Sequence, residues 1–191
     1  MIEKLANRLT EQIGLENLAN SDMKEYYVYG IVTFIEKWIT ILTIIAISLI
    51  CNVFVPTLLF LIFFFALRKR TGGYHANQFW QCYIGTTATY IGIVIISPVL
   101  IEHTIIMYSM VICAAIVIMA IGTINHPNMA LCVEELIELK KAARYVLLME
   151  SMIFMVFVSI GAYAECIAYM SMAIILCGGL LCLAKILRQE V

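Results

Sequence analysis

An all-α membrane protein that crosses the bilayer six times is what this sequence predicts, on three observations. Of its 191 residues, 63% are hydrophobic and only 13% charged, whereas soluble domains are close to half apolar and a quarter charged. The mean hydropathy is +0.98. The apolar residues gather into long runs between short polar or Pro/Gly-bearing stretches, near the about 20 residues a helix needs to cross the hydrocarbon core. The twelve Lys and Arg residues collect on alternate connections, as they do in proteins oriented by the positive-inside rule. A net charge of −1 excludes an electrostatic nucleic-acid binder.

The six passes fall near Val28 to Ile50, Val53 to Leu67, Phe79 to Ile101, Ile105 to Ile124, Tyr145 to Ala164 and Cys166 to Leu187. The second is short, and only Cys51, Asn52 and Pro56 mark the turn before it. Pro56 suits the first turn of a helix, where its missing N–H removes no bond. The basic residues form four groups: Lys4, Arg8, Lys24 and Lys37; Arg68, Lys69 and Arg70; Lys140, Lys141 and Arg144; Lys185 and Arg188. All fall on one side of a six-pass chain, while the connections near Asn52, Glu102 and Glu165 carry none. Both termini are therefore expected in the cytoplasm. Charged residues crowd the first 26 positions, so no signal-peptide core is expected there and no leader to be removed.

Two stretches outside the passes are amphipathic. Within the cytoplasmic segment 1–26, Ile2, Leu5, Ala6, Leu9 and Ile13 share one helical face, opposite Glu3, Lys4, Asn7, Arg8 and Glu11, as in a helix lying on a membrane surface or against a partner subunit. Gly14 ends it. In the connector 125–144, a surface helix starting near Pro127 places Met129, Cys132, Leu136, Leu139 and Ala143 on one face and Glu134, Glu135, Glu138 and Lys141 on the other. The whole chain, 1–191, reads as one integral membrane domain.

Ionisable groups inside a span are costly and mark function, and the last three passes hold Glu150 and Glu165 only near their ends. Glu36 and Lys37 precede Trp38, and an interfacial Trp with a snorkelling lysine accounts for them. A coupled transporter would lack its polar core. The densest polar stretch is the cytoplasmic loop 68–78 and the start of the third pass: Arg68, Lys69, Arg70, Thr71, Gly72, Gly73, Tyr74, His75, Ala76, Asn77, Gln78, Phe79, Trp80, Gln81 and Cys82. A cysteine becomes a nucleophile beside a histidine, positive charge or a helix N-terminus, and all three are within reach of Cys82. On a continuous helix His75 and Cys82 would share a face but stand about 10.5 Å apart. They form a dyad only if His75 leaves the helix, a freedom that Gly72 and Gly73 supply. From these residues alone an unreactive membrane cysteine and an interfacial histidine stand beside that dyad.

Other candidates are weaker. His103 reads as a solvated turn residue and His126, before Pro127, as a helix-start residue. No H-E-x-x-H occurs, and His75, Cys82 and His126 lack a diagnostic metal spacing; no metal or cofactor is expected. Cys51, Cys113, Cys132, Cys166, Cys177 and Cys182 have no adjacent base and read as packing residues in a chain without a disulfide framework.

The arrangement of Arg68, Gly73, His75 and Cys82 between two apolar passes resembles the accessory gene regulator B (AgrB) family, the membrane endopeptidases of bacterial quorum sensing. The resemblance extends to His126, Pro127 and Asn128, to Glu134 and Glu135, to Lys140 and Lys141, and to Arg144. It implies a cysteine endopeptidase of the bacterial cell membrane that removes the acidic C-terminal tail of a small AgrD-like precursor peptide on the cytoplasmic side. Cys82 would be the nucleophile and His75 the general base and then acid; the acyl-enzyme thioester would be resolved by a cysteine or serine of the substrate, closing a thiolactone or lactone autoinducing peptide. Arg68 and Gly73 match positions implicated in the family's activity. Arg68, Lys69 and Arg70 suit an acidic tail by charge, although a positive-inside anchor explains Lys69 and Arg70 equally well. Gly72 and Gln81 belong to the same site, and Tyr74, Asn77, Gln78 and Gln81 are all candidates to orient His75 or donate to the oxyanion. The resemblance and the N-terminal helix together suggest a homodimer in contact with membrane lipid. The alternative function is a non-catalytic six-pass peptide exporter or membrane scaffold.

Overall fold

The computed structural model describes residues 24–72, 79–124 and 132–187. The N-terminal amphipathic stretch, residues 73–78 with Gly73 and His75, residues 125–131 with His126, and Arg188 lie outside the described residues. Six helices are described: α1 (Lys24–Ile50), α2 (Phe54–Thr71), α3 (Phe79–Glu102), α4 (Thr104–Ile121), α5 (Val133–Ser159) and α6 (Ala164–Ile186). Among the described residues there is no strand. The expected all-α architecture is present.

Five of these helices, all but α2, are long and apolar enough to cross a membrane. The second expected pass departs because α2 devotes its last turn to Arg68, Lys69 and Arg70, which leaves an apolar stretch from Phe54 to Leu67 alone. Three basic residues there favourably face the negative end of the helix dipole.

The chain divides into two compact units, Met1–Ile47 and Ser48–Val191. In the first, α1 bonds Thr40 and Thr43 back to the carbonyls of Glu36 and Ile39 at 3.0 and 2.9 Å. Phe34 and Trp38 meet edge to face one turn apart, with centroids 6.0 Å apart.

In the second unit α6 is the central helix, packed against α2, α4 and α3 and more lightly against α5. Its residues from Cys166 to Ala184 are buried on nearly every side, among them Ala168, Tyr169, Ala173, Cys177, Gly178 and Leu181. Lipid offers apolar side chains as good an environment as protein does, so such packing rests on close van der Waals contact through small residues. Gly178 marks the tightest approach, because a Cβ there would stand 2.9 Å from Ala114 Cβ and 3.1 Å from Ala114 Cα on α4. Buried polar groups are paired where helices meet. The Thr57 and Tyr90 hydroxyls lie 2.6 Å apart between α2 and α3, and Cys177 Sγ donates to the Phe64 carbonyl at 3.8 Å. Pro98 inside α3 cannot donate to Val94, and Ser97 Oγ donates to that carbonyl instead, at 3.2 Å.

The helix ends show where the sequence pattern misplaces boundaries. α1 ends as expected, with Asn52 at φ 58° and the Val53 and Asn52 N–H groups donating back to Ser48 and Leu49, a Schellman arrangement. α4 stops at Ile121, not Ile124, because Gly122 turns the chain at φ 74°. α5 stops at Ser159, not Ala164, because Gly161 takes φ 64° while Ala162 and Gly161 donate back to Phe157 and Val158. Nor is the described part of the connector a separate surface helix: residues 133–144 run unbroken into the fifth pass as α5. No Pro or Gly interrupts that segment, and Ala142 and Ala143 favour helix. Cys132 is its N-cap, exposed rather than packed, and its N–H donates to the Glu135 carboxylate at 3.0 Å. That bond holds the carboxyl below the ordinary carboxylate range.

Gly178→Ala is expected to lower the thermal midpoint of the protein in lipid or detergent, through an overpacking penalty of about 1–3 kcal/mol. Gly179→Ala is the control, since a Cβ at Gly179 meets nothing within 4 Å. Equal midpoints for the two variants would contradict the α4–α6 approach.

Candidate functional site

The site is built on the end of α2. The last carbonyls of a helix have no partner within it, and those of α2 find theirs elsewhere. The Gly72 N–H donates to the Arg68 carbonyl at 3.1 Å. The Thr123 hydroxyl donates to the Arg70 carbonyl at 2.8 Å, and the Ile124 N–H to the Thr71 carbonyl at 3.2 Å. Leu67, Thr71, Thr123 and Ile124 are all buried. Arg144, from the first half of α5, donates through Nε to the Met119 carbonyl of α4 at 3.0 Å. The ends of α2 and α4 and the start of α5 therefore meet in one packed junction.

Gly72 is required at this junction. It adopts φ 64° and ψ −135°, a region open to glycine alone. A Cβ on it would come within 3.3 Å of the Ile124 carbonyl oxygen. Its own carbonyl accepts from the Arg68 guanidinium and from the Thr71 hydroxyl.

Arg68 is half-buried, Lys69 exposed and Arg70 half-buried. Burial draws the Arg68 pKa below its ordinary value, and a guanidinium stays protonated under such a shift. Cys177 sits in the helical interior, with its thiol on the Phe64 carbonyl. Cys82 is exposed, the fourth residue of α3, where the helix dipole is positive. Gln81, beside it, is exposed, as is Trp80, whose ring meets Tyr83 edge to face at 6.1 Å.

Of the residues the sequence singles out, Arg68, Lys69, Arg70 and Gly72 are thus gathered at the end of α2, and Cys82 and Gln81 open α3. Gly73 and His75, with Tyr74, Asn77 and Gln78, lie outside the described residues. Of the cysteines expected to pack, Cys166 and Cys177 are buried and Cys182 half-buried, but Cys51, Cys113 and Cys132 are exposed. Glu150, expected near the end of its pass, is 5% exposed on the α5 face that includes Ala143, Leu147 and Phe154. Neither of its carboxyl oxygens has a hydrogen-bond partner among the described residues. Sequence reasoning also passed over Gly122, Thr123 and Ile124, taken as the last residues of an apolar pass. The available signal was a glycine directly after an apolar run, which is a helix stop.

Against known proteins, residues 2–183 match the family profile described as Accessory gene regulator B. Two curated proteins of Clostridium perfringens are similar over part of the chain. "Putative AgrB-like protein" of strain SM101 is 32% identical over 95 residues, and "Putative AgrB-like protein 2" of strain 13 is 30% identical over 95 residues. Each alignment covers 50% of this chain and 42% of the relative, so the chain spans less than half the length of the curated relatives it matches. No solved structure matches it.

Gly72→Ala is expected to lower the thermal midpoint through about 1–3 kcal/mol of backbone strain, with faster deuterium exchange at the Ile124 amide as its bond to Thr71 loosens. An unchanged midpoint and an equally protected Ile124 amide would show that position 72 does not need its positive φ.

Proposed function

The chain belongs to the accessory gene regulator B family, and from that premise we propose that it is a membrane cysteine endopeptidase of quorum sensing. In this reading it cleaves the C-terminal tail from an AgrD-like precursor peptide and hands the remaining acyl group to a ring-closing thiol or hydroxyl. The observation that carries the proposal is the setting of Cys82, exposed in the first turn of α3, at the positive end of that helix's dipole. A helix N-terminus is a setting in which cysteine nucleophiles are found. Membership of the family supports the substrate, and the positive-inside pattern supports a cytoplasmic location for the site.

The reaction proceeds in two acyl transfers. The Cys82 thiolate attacks the scissile carbonyl carbon, the C–N bond breaks, and His75, having taken the thiol proton, gives it to the leaving amine of the tail. The product is a thioester on Cys82. A thiol or hydroxyl within the precursor then attacks that carbonyl, closes the thiolactone or lactone ring, and releases Cys82, which recovers its proton. Thiol–thioester exchange is close to balanced in energy, so the second step needs the ends held together and water kept away. A site at the membrane edge favours both. His75 enters through the family resemblance, and its seven-residue separation from Cys82 leaves room for a turn back over the sulfur. Arg68, Lys69, Arg70, Gly72, Gly73 and Gln81 bind the acidic tail or support the site. The protein works without a cofactor in this scheme.

In proteoliposomes with a candidate AgrD-like precursor peptide, the wild type is expected to release the tail together with an N-terminal product that is cyclic and lighter by one water than the linear acid, read by mass spectrometry. Cys82→Ala and His75→Ala are expected to lower the rate on the order of a thousandfold or more while inserting normally. Tail release that survives Cys82→Ala would overturn the nucleophile assignment, and folded wild type without cleavage would favour a peptide exporter or scaffold.

A further inference from the structure

The turn that ends α4, residues 119–123, gathers basic residues from two other helices. The Thr123 hydroxyl donates to the Arg70 carbonyl of α2 at 2.8 Å, and the Met119 carbonyl accepts from Arg144 Nε of α5 at 3.0 Å. Between them Gly122 lies so close under α5 that a Cβ on it would come within 3.0 Å of Lys140 Cγ. Gly122 adopts φ 74° and ψ −86°, a backbone that side chains other than glycine's rarely accept, and its N–H donates to the Ile118 carbonyl at 2.8 Å. Arg70, Lys140 and Arg144 come from two groups far apart in the sequence, and the fold brings both groups to this one turn.

All three side chains are half-buried. Among the described residues the Arg70 and Lys140 head groups have no hydrogen bond or ion pair, and Arg144 has only the one from Nε, which leaves its two terminal nitrogens to donate elsewhere. The acids of α5 do not answer them. Glu135 is held on the Cys132 N–H, and Glu134 and Glu138 fall about 120° and 160° round the helix from Lys140. A positive-inside anchor needs basic residues on this side of the membrane, but not basic residues from two helices gathered on one turn of a third. Above Arg144, Leu148, Met152 and Met155 follow at helical spacing up the same side of α5, and all three are exposed. A cationic cluster at the headgroup level with an apolar stripe rising from it matches an anion that carries acyl chains. A free phosphate or an acidic peptide shares the charge but leaves that stripe unused.

We propose that the turn ending α4, with Arg70, Lys140 and Arg144 around it, is a binding site for an anionic phospholipid of the inner leaflet: its phosphate is held by the Arg144 guanidinium and the Lys140 ammonium, and an acyl chain lies along Leu148, Met152 and Met155. A lipid held there ties the ends of α2 and α5 to the end of α4. The site is independent of the assignment of Cys82 as nucleophile.

The test measures, by native mass spectrometry of the full chain released from nanodiscs, the binding of phosphatidylglycerol against phosphatidylcholine with the same acyl chains, with no precursor present. The wild type is expected to hold one phosphatidylglycerol at least about tenfold more tightly than phosphatidylcholine. Lys140→Gln keeps the stem over Gly122 and removes the charge, and is expected to weaken phosphatidylglycerol about fivefold while leaving phosphatidylcholine unchanged. Lys140→Arg, which restores a phosphate-binding cation, is expected to stay within about twofold of wild type. Lys185→Gln removes an exposed charge from the end of α6 and is expected to change neither lipid. If Lys140→Gln does not fold, Arg70→Gln supplies the charge-deleted variant. No preference for phosphatidylglycerol in the wild type would overturn the proposal, as would an equal loss in Lys185→Gln, which would show a general attraction of the basic face. Displacement of the lipid by millimolar glycerol 3-phosphate would overturn it in favour of a free-phosphate site. Binding of an acidic tail peptide that weakens in Lys140→Gln, in a protein without the lipid preference, would assign the cluster to the substrate instead.

Discussion

The close approach of α6 to its neighbours is the constraint on which the rest of the second unit depends. Inside a bilayer, burying apolar side chains against one another gains little over leaving them in lipid, so helices associate only where their surfaces fit. Gly178 against Ala114 brings the backbones of α6 and α4 together, and Ala168, Ala173 and Ala184, on other sides of α6, are small and buried as well. With α4 and α2 both drawn onto α6, their ends come close enough for Thr123 and Ile124 to serve the carbonyls of α2. The junction at the end of α2 is thus a consequence of packing on a distant helix. It also explains why that junction can be so tight. Its members are held by interior contacts rather than by loops.

Several buried polar groups of the unit are answered by a donor that the fold places there: the Ser97 hydroxyl for the carbonyl orphaned by Pro98, Tyr90 for Thr57, the Cys177 thiol for Phe64. The Thr87 and Tyr169 hydroxyls and both carboxyl oxygens of Glu150 have no hydrogen-bond partner among the described residues.

Much of this was legible in the sequence, because membrane helices announce themselves by composition. The six helices, the turn at Asn52 and the basic end of α2 follow from apolar runs interrupted by polar residues. Their ends were less legible. Gly122 and Gly161 stop α4 and α5 by adopting positive φ, and in an apolar run a single glycine looks like one more small packing residue. The continuity of α5 was hidden by its change of surroundings, since a charged first half and an apolar second half read as two helices although nothing breaks the backbone between them. The burial of Glu150 depends on which face of α5 turns inward, and that is decided by α2 and α4. Thr123 was invisible for a related reason: its partner is 53 residues away, and no local pattern signals a cap supplied by another helix.

The choice of arginine at position 68 illustrates how the local chemistry and the fold agree. The group must hold the Gly72 carbonyl and remain charged while half-buried. A lysine ammonium concentrates its charge at one atom and sheds its proton when desolvated, so at this depth it would do one of these tasks at the expense of the other. The guanidinium spreads its charge over a planar fork with five donors, one of which rests on the Gly72 carbonyl. Burial lowers its pKa, yet a guanidinium does not give up its proton, so position 68 keeps a fixed positive charge on the helix end that the Thr123 and Ile124 donors hold in place.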